Sequence, residues 1–214
     1  MDDDEAFGRL SSAVYIAARA GAVDCTAAFD LATSWLEDHP QDPDATELAR
    51  LSVECTEASQ PPMAEVALRL LATADFYPGF KEEPGWLACL EDAMRLVNQD
   101  AAATGIRRPC QLRVHDDEEL NGTGRAYVET WDGYAHPATA HGIDPQSGAD
   151  RMAALVAVAE DAQDALMHAL WVVWPVCPVH QLGLHARDHG GAAVWWCTGD
   201  GGHAVAAIGE WQGR

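Results

Sequence analysis

The residues with most chemistry lie near the end of the chain, in Trp174-Pro-Val-Cys177-Pro-Val-His180 and in Val194-Trp-Trp-Cys197-Thr-Gly-Asp-Gly-Gly-His203. Their spacing reads C-x2-H, sixteen intervening residues, then C-x5-H. Two thiols and two imidazoles delivered in pairs suit a tetrahedral Zn2+ ion, which takes four N or S ligands at about 2.0 to 2.3 Å. Cys177-Pro178-Val179-His180 has the compactness of a zinc knuckle, and Gly199, Gly201 and Gly202 let the second loop curl back to His203. The spacing therefore predicts a structural zinc site of Cys177, His180, Cys197 and His203, with His185 and His189 as reserve ligands. Catalytic zinc keeps three protein ligands and an open position, whereas four ligands close the shell. Neither His-Glu-x-x-His nor the paired motifs of zinc deaminases occurs.

Such ligands need strands to carry them. Residues 184–187 and 192–196 pair as a hairpin across Asp188-His189-Gly190-Gly191, and residues 204–208 add a third strand. A sheet this small buries little core, and a structural metal would supply the missing free energy, on the order of 10 kcal/mol or more. The same run, with Trp195-Trp196-Cys197 and the sequence from His203 to Glu210, resembles the C-terminus of uncharacterised acidic actinobacterial proteins over about residues 165–211. The resemblance implies a zinc-ribbon-like tail and implies no activity.

Upstream, the pattern is helical. Leu10, Val14 and Ala17 share one face of a first helix that stops at Gly21, and Phe29, Leu31, Trp35 and Leu36 mark a second ending before Pro40. Asp42-Pro43 is an N-cap followed by proline at the first helical position, ahead of Leu48, Leu51 and Val53. Pro61-Pro62 opens a fourth helix through Leu71, and Trp86, Leu87, Leu90, Met94 and Val97 define a fifth. Residues 111–115 and 125–131 read as two strands, and residues 150–171 as a long helix. Composition shifts between Thr104 and Pro109: residues 1–105 carry 20 acids and 6 bases, and eight of nine histidines follow residue 106. The predicted fold class is α+β, a helical bundle over residues 1–105 followed by an α+β module over residues 106–214 with a zinc-ribbon-like hairpin.

The formal charge of −21 argues against nucleic acid or an anionic membrane as partner, since both bind through Lys and Arg. Near the tail only Arg187 and Arg214 offer positive charge. Lys81, the single lysine, sits in Phe80-Lys81-Glu82, which matches no P-loop and leaves little room for a pyridoxal enzyme. No apolar run reaches the roughly 18 residues of a membrane span, and the acidic opening Asp2-Asp3-Asp4-Glu5 is unlike a signal peptide. We read the chain as cytoplasmic, and Cys25, Cys55, Cys89 and Cys110 as unpaired small core residues.

Other groups are weaker candidates. His136 and His141 lie in a long Pro- and Gly-rich loop with Asp132 and Asp144, and His168 lies on the long helix. Together with the C-terminal metal region they define an alternative, a metal-dependent hydrolase. The acidic run from Asp116 to Glu119 reads as a solvated turn, and Trp171, Trp174, Trp195, Trp196 and Trp211 as the closure of a thin core. The leading expectation is a non-enzymatic interaction or regulatory protein with structural zinc, whose acidic surface suits a basic protein partner.

Overall fold

The computed structural model describes residues 2–115, 124–131 and 142–212. Local signals near the N-terminus act as the sequence predicts. Helix α1 (Asp2–Arg19) stops before Gly21, whose φ of 68° costs glycine nothing. Asp24 accepts the Ala27 N–H at 2.8 Å and opens α2 (Cys25–Asp38), and Asp42 caps Ala45 in the same way ahead of α3 (Pro43–Glu54). Helix α4 (Gln60–Thr73) carries its two prolines in the first turn, where their missing N–H groups cost nothing. Gln60 exchanges two hydrogen bonds with the backbone of Val23, at 2.9 and 3.0 Å. The four helices enclose Val14, Leu31, Leu48, Met63, Leu70 and Leu71 and make one packing unit, residues 1–78.

Cys25 and Cys55 are joined by a disulfide, which corrects the reading of both as unpaired core residues. Cys25 is the first residue of α2 and Cys55 the C-cap of α3. Two helices joined by a short turn run antiparallel, so the start of one meets the end of the other, here with Cα atoms 5.9 Å apart. A sequence separation of 30 carries no local trace of that meeting.

The second unit spans residues 79–214. It contains α5 (Pro84–Ala103), the antiparallel pair β1 (Gln111–His115) and β2 (Arg125–Glu129), α6 (Arg151–Leu170), and a three-stranded antiparallel sheet of β3 (His185–His189), β4 (Ala192–Cys197) and β5 (His203–Ala207). The α+β class with an N-terminal helical region holds. The division by packing falls after Pro78, not at the 105/106 boundary expected from composition. Leu90, Met94 and Val97 of α5 share one buried cluster with Ala154, Val158 and Ala162 of α6, so α5 packs with the elements that follow it. The small residues on α6 let the two helices approach closely.

Asp100 of α5 ties this unit together. Its side chain, 1% exposed, accepts the Trp195 indole N–H and the Gly209 N–H, both at 2.7 Å, and the Trp211 N–H at 2.8 Å. Trp174 and Trp195 pack edge to face at 5.3 Å and are buried, as a thin core requires, whereas Trp171 is 86% exposed. Among the described residues no helix is long and apolar enough to cross a membrane.

Candidate metal centre

The first ligand loop begins where α6 ends, at Trp171 in the left-handed region, and passes through a cis Trp174–Pro175 bond. Buried Gln163 on α6 donates to the carbonyls of Trp174, at 2.9 Å, and Leu184, at 2.5 Å, and so clamps both ends of the loop. Between them Leu184 N–H donates to Pro175 O, Cys177 N–H to Leu182 O and Gln181 N–H to Cys177 O, at 2.8 to 2.9 Å. Cys177 and His180 therefore sit at the tip of a hydrogen-bonded turn. The second loop leaves β4 at Cys197, makes a single 3-10 turn over Gly199–Gly201 and enters β5 at His203, which pairs directly opposite Cys197. A Cβ on Gly199 would lie 2.7 Å from His180 Cγ, and one on Gly202 2.7 Å from Trp196 Cζ2. Glycine is required at these two positions because the loop passes against those rings.

The four ligand atoms lie within 4.8 Å of one another. Cys177 Sγ is 3.7 Å from His180 Nδ1 and 3.8 Å from His203 Nε2, and His180 Nδ1 is 3.3 Å from Cys197 Sγ. A tetrahedron with bonds of about 2.0 to 2.3 Å has edges of about 3.3 to 3.8 Å, so these separations fit a metal ion between the donors. Both sulfurs are fully buried and both rings half-buried. His180 N–H donates to Cys177 Sγ and Gly199 N–H to Cys197 Sγ, each at 3.4 Å, the arrangement that stabilises thiolates. Among the described residues this is the group of three or more His, Cys, Asp or Glu side chains close enough to hold a metal ion.

The two thiols titrate in opposite directions. Burial pushes the Cys177 thiol up, but the N–H groups of His180 and Val179, with the Cys197 and His180 side chains, pull it down to about 6. Burial raises the Cys197 thiol, the Gly199 N–H opposes it, and the neighbouring Cys177 and Asp200 charges raise it further. His180 is raised by its bond to Cys177, against some desolvation, and by Asp200. Asp200 Oδ2 lies 3.1 Å from His180 Nε2, the ring nitrogen facing away from the sulfurs.

All four predicted ligands converge, and the reserve histidines do not join them. His185 and His189 are exposed on β3, and His189 packs at 4.6 Å against Trp196, over which Arg187 also lies at 4.7 Å. His168 is exposed beside Trp171, with ring centroids 5.9 Å apart. His136, His141, Asp132, the run from Asp116 to Glu119 and Arg214 lie outside the described residues. Asp200 and Gln163 escaped the sequence reading. Asp200 has a local signal, an acidic residue midway between Cys197 and His203, while Gln163 has none. No family model matches the chain, and no curated protein or solved structure matches it.

Proposed function

We propose that this chain is a non-enzymatic interaction or regulatory protein whose C-terminal unit is held together by one structural zinc ion on Cys177, His180, Cys197 and His203. The observation that carries this reading is the convergence of four N and S atoms within 4.8 Å from two turns far apart in sequence. Two thiolates and two neutral imidazoles neutralise a divalent ion and favour zinc over harder cations that prefer oxygen. Four protein ligands leave no open position, so the ion's contribution is to cross-link the knuckle to β4 and β5.

The net charge of −21 supports a basic protein as partner and disfavours phosphate backbones. Kinship with the acidic actinobacterial proteins that the tail resembles belongs to the same proposal, as does a cytoplasmic location. The Cys25–Cys55 disulfide counts against that location, because disulfides persist mainly in oxidising compartments.

The test is metal analysis of the purified full chain and of Cys177→Ser and Cys197→Ser. One zinc per wild-type chain that is lost in both variants is the expected result. Full retention of metal by both variants, or a metal-free wild type refolded with zinc, rejects the site. For the partner, retention of a basic protein that falls steeply with rising salt is expected, and no retention at low salt removes the interaction half of the reading.

A further inference from the structure

We propose that Asp200 is the positioning residue of the metal centre: by accepting the Nε2–H of His180, it commits that ring to bind metal through Nδ1. The inference rests on the zinc reading and assigns a role to a residue outside the four ligands.

A neutral imidazole carries one proton, and the nitrogen that holds it cannot bind a metal. The two histidines present opposite nitrogens to the sulfurs, Nδ1 from His180 and Nε2 from His203. His180 Nδ1 is the ring nitrogen that faces Cys177 and Cys197, so a metal bound there requires the ring proton on Nε2. Asp200 Oδ2 stands 3.1 Å from that atom. A carboxylate behind a ligating imidazole fixes the tautomer and ring orientation and makes the ligating nitrogen more basic.

The loop is shaped for this contact. Gly199, without a side chain, passes against the His180 ring and delivers Asp200 to its far edge. Asp200 itself adopts φ 45° and ψ 49°, a left-handed conformation that Asp and Asn tolerate better than most residues. Ion pairing alone does not account for the placement. The Asp200 side chain is 91% exposed, and so open a pair adds little to stability.

The left-handed backbone dictates the variants. Asp200→Gly removes the carboxylate without backbone strain, and Asp200→Asn keeps both an acceptor oxygen and tolerance of positive φ. Zinc affinity of the full chain, measured by competition with a chelator, is expected to fall ~10- to 100-fold in Asp200→Gly and substantially less in Asp200→Asn. Long-range 1H–15N NMR of the zinc-loaded protein gives a readout that loop stability alone does not move: His180 is expected to show metal on Nδ1 and a slowly exchanging proton on Nε2 in wild type. In Asp200→Gly that proton is expected to exchange rapidly.

Wild-type affinity in Asp200→Gly overturns the positioning role while leaving the zinc site intact. Equal losses in the Gly and Asn variants, or a proton on Nδ1 of His180 in the loaded wild type, overturn it as well. Failure of wild type to bind zinc rejects instead the reading on which this inference rests.

Discussion

At the scale of the residue, the proposed metal centre is a problem of protons. Zinc binds thiolates, so each thiol must lose its proton or have lost it already. Cys177, pulled down to about 6, is largely ionised at neutral pH, whereas Cys197 is raised above the ordinary thiol value and keeps its proton. Thiolate absorbance of metal-free protein, followed across pH, should therefore rise in two separated steps. Addition of zinc near neutral pH should release about one thiol proton per ion, not two. A single step spanning both cysteines would contradict the hydrogen-bond pattern described above. The sign for metal retention follows. As pH falls, protons return first to Cys197 and then to His180, which is itself raised, so affinity declines on acidification well before Cys177 is protonated. Gly199 offers a steric test at the same scale. Gly199→Ala places a methyl 2.7 Å from His180 Cγ, which must displace the ring, and zinc affinity should fall in this variant, while Gly85→Ala on α5, with nothing within 4 Å and no left-handed backbone, leaves it unchanged.

At the scale of the element, burial of single polar side chains decides how strands sit on helices. Asp100 joins α5 to β4 and to the chain beyond β5 through three N–H groups, and burial pushes its carboxyl up even as those donors pull it down. Asp100→Asn sets an amide N–H2 against at least one backbone or indole donor and should cost about 1 to 3 kcal/mol in denaturant unfolding, with Asp100→Ala costing more because all three donors are orphaned. An unchanged midpoint in both would remove Asp100 as a strut. What the sequence disclosed divides along the same line. The cap at Asp42, the prolines of α3 and α4, the hairpin of β3 and β4 and the two ligand turns are legible, since each depends on residues a few positions apart. Asp100 bonds residues 95, 109 and 111 positions away, and Gln163 bonds carbonyls 11 and 21 away, so no local pattern announces either. The packing division after Pro78 is hidden from composition for a related reason. Composition changes at the 105/106 boundary, but α5 buries its apolar face against α6.

At the scale of the whole molecule, the division after Pro78 changes how the acidity and the cross-links are distributed. Residues 1–78 carry 15 acids and 4 bases (net −11), and residues 79–214 carry 19 acids and 9 bases (net −10), so the charge is shared almost equally although the first unit is much shorter. Each unit also has a tie of its own, one covalent and one proposed. The first has the Cys25–Cys55 disulfide, which closes a loop of about 30 residues and in the chain-entropy account is worth about 3 to 4 kcal/mol. The second has the proposed zinc, whose binding energy, on the order of 10 kcal/mol, is folding energy if the ligand loops order only with the metal. The two ties should therefore fail separately. Hydrogen exchange read by peptide mass spectrometry on the full chain can resolve them. Chelation of zinc should accelerate exchange across residues 176–207 and leave α2 and α3 protected, whereas Cys25→Ser/Cys55→Ser should accelerate exchange in α2 and α3 and leave the metal content at one ion per chain. Loss of protection throughout both units on chelation alone would show that the metal stabilises the molecule as one cooperative body, and the separation of its two ties would then be wrong.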